Sequence, residues 1–381
     1  MNLLDRYIFK STLFTCAAAV GIFTFILASG TLVRDIVAQG LFDQFSLFVI
    51  GRLTLLQIPY VIPFALPIGI LTGVLLTLGR LSADNEVTAM RASGISLPRI
   101  ARPVFILGAF GMLAGLPINF EYMPWAGVQY DRELTVALRA NPLSFIVPRS
   151  FIHAFPGVVA YVGEKKGPNL RDVWVWKLDD DRRVTEFIRA ATGRVDYDET
   201  TNEFILTLSE AQVENRGDKN PEDFTEAQPV MTFAQIEPIR LPLDKVFGRT
   251  GFRQKLTWMT YAELRREQAR LAAPKSPASG EKGTTVTPMK VALVIQDKFN
   301  AALAALTFAV VGVPLGIKVS RRETSANLGV AVLLALGYYF FTRMIGSFDR
   351  HPEYRPDLLM WLPNAIFLGL GVWLFRRIDR R

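Results

Sequence analysis

The chain predicts a membrane α-helical protein: six transmembrane helices, three plus three, with an all-β jelly-roll-like domain inserted between the triplets. Two observations carry this. Apolar runs of membrane length fall near 12–33, 53–79, 102–123, 299–318, 326–346 and 358–375, three before and three after a polar block. Within that block the hydrophobic period changes from helical to two. A composition of 50% hydrophobic and 20% charged residues over 381 positions suits a multi-pass membrane protein that carries a water-facing domain.

Crossing the ~30 Å hydrocarbon core takes about 20 apolar residues, and each run is long enough. The first begins just after Asp5, Arg6 and Lys10. It outruns a signal-peptide core and lacks a small-x-small cleavage site, so it reads as a retained anchor. Cations set the orientation. Arg6, Lys10, Arg80, Arg91, Arg99, Arg102, Lys318, Arg321, Arg322, Arg376, Arg377, Arg380 and Arg381 fall on one side, against Arg34, Arg52, Arg350 and Arg355 on the other. The positive-inside bias therefore places both termini and the 80–101 loop in the cytoplasm and the polar block outside. The domains expected are 1–123, three helices with a short cytoplasmic helix at about 84–93; 124–297, the outer β domain with a linker at 272–288; and 298–381, three further helices.

The net charge of +8 does not point to nucleic acid. Between 124 and 290 stand 24 Lys and Arg against 23 Asp and Glu, so the excess flanks the membrane and favours topology and anionic headgroups. Cys16 is the single cysteine, so no disulfide forms within the chain, and an outer block of about 165 residues must be held by its own core.

In that block, 203–209 (EFILTLS) alternates Phe204, Leu206 and Leu208 with Ile205, Thr207 and Ser209, the pattern of a strand with one buried face. Similar runs stand at 157–163, 172–178, 184–190 and 229–236, separated by turns such as Gly167-Pro168-Asn169 and Asn215-Arg216-Gly217-Asp218. Regular strand spacing of this kind predicts a β-sandwich or jelly roll. Trp174 and Trp176, two apart, read as sheet packing rather than a ligand cage. Residues 257–271 read as a helix capped by Thr257 or Thr260, and 272–288, rich in Pro, Ser, Gly and Thr, as a flexible linker.

Enzyme motifs are missing. There is no Gly-Lys dipeptide and hence no P-loop, His153 and His351 lack metal-ligand spacing, and no Gly-x-Ser-x-Gly elbow occurs. Neither a cofactor nor a metal is expected. The span centres carry no Asp, Glu, Lys or Arg; Arg34, Glu121, Asp297, Lys298 and Arg343 fall near span ends, where side chains can snorkel to water. That weakens an ion-coupled secondary transporter. A membrane-anchored scaffold that docks partners through its β domain remains an alternative.

Pro59, Pro63 and Pro67 recur every four residues in the second span and predict a kinked or locally unwound helix. Gly69 and Gly73, then Gly111 and Gly115, have small-x-x-x-small spacing, which serves close helix packing or a deformable wall around a lipid-sized cavity. In the loop 80–99 (RLSADNEVTAMRASGISLPR), Ser82 or Asp84 can cap a helix, Gly94 supplies its left-handed end, and Ser96-Leu97-Pro98 starts the next. Glu86 and Met90 stand one turn apart beside Val87 and Arg91. This is either a solvated turn with Glu86 paired to Arg91 or Arg80, or an apolar knob with one acid, inserted into a partner.

The segment LGRLSADNEVTAMRASGIS resembles the cytoplasmic signature of the lipopolysaccharide export permeases, the LptF/LptG (YjgP/YjgQ) family. Leu4-Asp5-Arg6-Tyr7, Arg139-Ala140-Asn141-Pro142 and Pro314-Leu315-Gly316 also match, in order along the chain. The resemblance implies a non-enzymatic transport subunit of an ATP-driven exporter in the bacterial inner membrane. It would work with a sister permease and a cytoplasmic ATPase dimer, extracting lipopolysaccharide and passing it to a periplasmic jelly-roll bridge. Glu86, Val87, Met90 and Arg91 would form the ATPase-coupling contact, spans one and five the lateral gate, and Arg34 a contact to phosphates or inner-core sugars. The Arg-Ala-Asn-Pro piece leans toward the F-type subunit.

Overall fold

A computed structural model of the chain describes residues 3–34, 46–140, 146–153, 155, 157–179, 181, 183–198, 201, 203–216, 230–242, 255–272, 287–318, 324–350 and 352–379. These gather into two compact units, 1–30 with 54–129 and 255–381, and 31–53 with 130–254. The linker expected at 272–288 lies almost wholly outside the described residues, as do Asn141 and Pro142.

The helices are α1 (Leu3–Leu32), α2 (Leu47–Ala83), α3 (Glu86–Ala92), α4 (Leu97–Pro117), α5 (Met123–Ala140), α6 (Tyr261–Ala272), α7 (Pro288–Lys318), α8 (Thr324–Gly346), α9 (Pro356–Leu359) and α10 (Leu362–Asp379). A π-helical turn, Ile118–Tyr122, joins α4 to α5. Among the described residues six stretches are long and apolar enough to cross a membrane: Leu3–Leu32, Leu47–Ala83, Leu97–Leu134, Pro288–Lys318, Gly329–Asp349 and Pro356–Asp379. The boundaries expected at 123/124 and 297/298 fall inside two of them.

Among these spans α2 and α7 are the most enclosed, whereas α1 exposes Phe14, Ile22, Phe25 and Ile26, apolar side chains suited to lipid. Small residues let backbones touch. A Cβ built on Gly73 would sit 2.5 Å from the sulfur and 2.6 Å from the Cα of Cys16, and one on Gly108 would sit 2.6 Å from the Cβ of Ala309. The glycine spacing therefore serves helix packing. The unwinding expected at Pro59, Pro63 and Pro67 does not occur: α2 is helical throughout Leu47–Ala83. Its flanking contacts, with Leu71 and Leu75 fully buried in one cluster and Val74 and Leu78 in another, hold the helix against the local cost of three missing donors.

Among the described residues the β domain is one seven-stranded antiparallel sheet: β1 (Ser150–Ile152), β2 (Val158–Lys166), β3 (Asn169–Leu178), β4 (Val184–Asp198), β5 (Glu203–Asn215), β6 (Val230–Gln235) and β7 (Ile239–Pro242). Strands pair neighbour to neighbour from β1 to β6, and β7 pairs the other half of β5. Gly167, at φ +60°, makes the tight β2–β3 turn.

A transverse crease crosses this sheet. Inward residues run Ala160 and Val162 on β2, then Val175, Val173 and Leu170 on β3, Ile188, Ala190 and Val195 on β4, and Phe204, Leu206, Leu208 and Ala211 on β5. On β3, β4 and β5 the alternation slips by one residue at the same row, so 171/172, 191/192 and 209/210 both point outward; 163/164 do so on β2. The ladder skips Gly163, Asp172, Ala191 and Glu210 while keeping register on both sides. Because every strand takes the extra residue in the same row, the sheet bends sharply without losing pairing. Both halves then bury their inner faces in one core, which also takes in Ile152 and Leu241. A single sheet thereby closes over its own apolar face.

The same parity places the two tryptophans. Val173 and Val175 fill the core, so Trp174 and Trp176 stand on the outer face, where they pack against the rings of Tyr161 and Phe187 on neighbouring strands.

Candidate functional site: the loop helix and its anchorage

Helix α3 is short, and its ends explain its position. Asn85 enters it at φ 59° with no side-chain cap, and the expected cap Ser82 instead donates its hydroxyl to the carbonyl of Ile317 at 3.0 Å, at the end of α7. At the far end the Ile95 N–H reaches the Met90 carbonyl (3.0 Å) and the Gly94 N–H reaches that of Arg91 (3.0 Å). With Gly94 at φ +86°, this is a Schellman closure. Ser96 then precedes α4, with Pro98 in its first turn.

The apolar side of α3 faces inward. Val87 is 3% exposed and packs in a cluster with Ile8, Leu78, Leu81, Ile100 and Val104, with Met90 half-buried against it. Val87 is therefore an anchor into the helical bundle, which corrects its expected place on a protruding knob: 87 and 90 share the face that the bundle covers, leaving Thr88, Ala89 and Ala92 exposed. Glu86 lies partly exposed at the rim, where the Tyr7 hydroxyl donates to Oε1 over a long 3.4 Å. Among the described residues Glu86 makes no ion pair; Arg80 turns instead to the Ser11 hydroxyl at 2.9 Å. Arg91 is half-buried in the last turn. The result is a carboxylate on a rigid mount, weakly held by its own chain. Arg34, in the other unit, is exposed at the end of the first helix.

A second polar region lies inside the helical unit. Lys298 is 5% exposed and does not snorkel to water: its Nζ donates to the carbonyls of Asn119 (2.7 Å) and Met259 (3.2 Å). Asn119 returns its amide to the Lys298 carbonyl at 2.8 Å. The reason is geometric. Because α7 starts at Pro288, position 298 is about three turns inside it, and Asn119 belongs to the π-helical turn, where the widened ladder leaves a carbonyl available to a side chain. Nearby, Thr307 donates to Asn364, and Asn364 to the Oδ1 of Asn300, both at 2.8 Å, joining α7 to α10. Charge-scanning of spans misses this seam because most of its members are neutral amides and hydroxyls.

Six apolar spans, an inserted antiparallel β domain and a short loop helix anchored on the spans define a polytopic membrane protein. The family model for lipopolysaccharide export system permease LptF/LptG matches residues 6–377, and the chain belongs to that family. It is 21% identical to the lipopolysaccharide export system permease protein LptF of Escherichia coli K12 over 375 residues, covering 97% of this chain and 93% of that one. LptF of Shigella flexneri gives the same identity and coverage. LptG of Escherichia coli K12 is 28% identical over 241 residues, 60% of this chain and 62% of that protein. The chain is thus a permease of the lipopolysaccharide export system.

Proposed function

We propose that this permease is the F-type member of a pair of inner-membrane subunits that lift lipopolysaccharide from the outer leaflet, using ATP hydrolysed by a separate cytoplasmic ATPase dimer. The near-complete match to LptF, against a partial match to LptG, supports the F-type reading and a G-type sister. Both termini and α3 lie in the cytoplasm. The β domain is periplasmic and hands the glycolipid to a jelly-roll bridge protein.

The observation that carries the coupling role is the mount of Glu86: a carboxylate without an ion pair among the described residues, on a helix whose Val87 is locked into the bundle. In this reading Glu86 and Arg91 meet the ATPase, and Val87 and Met90 pass its motion to α1, α2 and α4. Arg34 contacts an anionic or sugar group of the lipid near the outer end of α1, and the lipid enters between the first and fifth spans. Glu86→Lys tests the coupling role. It is expected to weaken ATPase association or coupled turnover while membrane insertion stays normal. Undiminished complex formation and transport would remove Glu86 from the interface.

A further inference from the structure

The outer face of the β domain is built unlike a face meant only for water. Trp176 stacks on Phe187 (centroids 5.3 Å, planes 26° apart), Trp174 meets Trp176 edge-on at 5.9 Å, and Tyr161 lies 5.6 Å from Trp174. Phe151, 56% exposed, closes the row against Tyr161 and Trp176. Rings set side by side on one face form a platform.

The crease opens beside it as a trough of about 810 Å³, within the range of small-molecule sites. Arg149, Arg171 and Arg189 line it together with Glu164, Asp172 and Glu210. Arg189 lies 5.2 Å over the Trp174 ring, and the Trp174 indole N–H donates to Asp172 at 2.7 Å, so platform and trough share members. Arg149 and Arg171 make no ion pair among the described residues, although Glu164 is the cross-strand partner of Arg171. Three lining residues, Arg149, Asp172 and Glu210, hold φ of 59°, 52° and 53°. Such left-handed positions cost energy in non-glycine residues, and here the bend of the sheet imposes all three beside one trough.

We propose that this trough and platform bind a phosphorylated oligosaccharide. Aromatic faces receive the C–H faces of sugar rings, carboxylates accept sugar hydroxyls, and the two uncommitted guanidiniums offer forked donors to phosphate. The balance of three acids and three arginines suits a polar ligand with a few anionic groups better than a hydrophobic protein face, which would need a continuous apolar patch. The source of the sugar rests on the transport reading: it is the headgroup of the exported glycolipid, held outside the domain while the acyl chains travel elsewhere.

The test uses the full-length protein in nanodiscs and lipid-free, phosphate-bearing core oligosaccharide released from lipopolysaccharide by hydrolysis, with binding measured by calorimetry. Arg149→Gln and Arg171→Gln, both on exposed positions, are each expected to weaken binding about tenfold, the ~1.4 kcal/mol of one charge-assisted contact. Phosphatase treatment of the oligosaccharide should cost wild type a similar factor and make binding insensitive to Arg171→Gln. Trp174→Leu should weaken both forms. Equal affinity for wild type and both arginine variants, or no saturable binding at millimolar oligosaccharide, overturns the site. Absence of oligosaccharide binding by wild type, together with docking of a periplasmic protein that the same variants impair, would overturn it in favour of a protein interface. Lipopolysaccharide release is measured separately: its absence in wild type counts against the transport reading, and oligosaccharide affinity decides the site.

Discussion

Truncating Val87 separates anchoring from docking in α3. Val87→Ala removes two carbon groups from a site only 3% exposed. At about 0.8 kcal/mol per buried carbon group, the packing of α3 against the bundle loses ~1.6 kcal/mol, and up to ~3 kcal/mol if the cavity fails to collapse. Local opening of the helix then rises roughly 15-fold at the lower figure. Hydrogen exchange of a peptide covering 86–94 in nanodiscs reads this directly, because α3 can open without global unfolding. Glu86→Ala serves as the control. Among the described residues its carboxylate has only a long contact to Tyr7, so exchange should stay near wild type while ATPase binding falls. Unchanged exchange in Val87→Ala, or equal acceleration in Glu86→Ala, would refute the division of labour.

Other positions give independent checks. Gly94→Ala places a side chain at φ +86° and should destabilise the α3–α4 turn by about 1–2 kcal/mol, seen as faster exchange there with no change in the β domain. Thr260 and Glu263 form a capping box, Thr260 N–H to Glu263 Oε2 at 2.8 Å and the Glu263 N–H back to the Thr260 hydroxyl at 3.4 Å; Thr260→Ala should cost about 1 kcal/mol of α6 stability, measured by exchange across 260–272. The Asp179 carboxyl is held below its usual 3.8, first by the backbone N–H of Arg183, then by that residue's side chain and charge against an opposing desolvation. A depressed folded value means that its contribution to the β3–β4 turn is complete above about pH 4 and fades as pH falls through the folded value. Exchange at Arg183 should therefore quicken only in acid, and Asp179→Asn should abolish that dependence.

The six spans were legible because membrane length and hydrophobicity are coarse signals. Their ends were not: α7 begins eleven residues before the apolar run at 299, carried by packing of Val291 and Ile295 against Leu264. Five strands were legible from alternation. The short β1 and β7 were missed, being three and four residues long. The crease is present in the sequence as a slip of apolar parity, Leu208 to Ala211 and Leu170 to Val173, but a slip in one strand reads as the end of that strand. Only pairing shows that the slips share a row. Helix α3, expected at about 84–93 from Gly94 and the Ser96-Leu97-Pro98 restart, spans Glu86–Ala92, and the side that packs was not legible, because a seven-residue helix has too few apolar positions to fix its facing. Lys298 was misread for a similar reason. Its partners are backbone carbonyls 179 and 39 residues away, which no local pattern announces.

The central claim is that lipid passes between the first and fifth spans of this permease. Photocrosslinking amino acids placed one at a time along 15–34 and 328–345, in the assembled and ATP-driven complex, test it most directly. The account predicts lipopolysaccharide adducts at inward-facing positions of both segments, appearing with ATP and absent when the ATPase is inactive. A complex that transports normally while no position in either segment yields an adduct would contradict it.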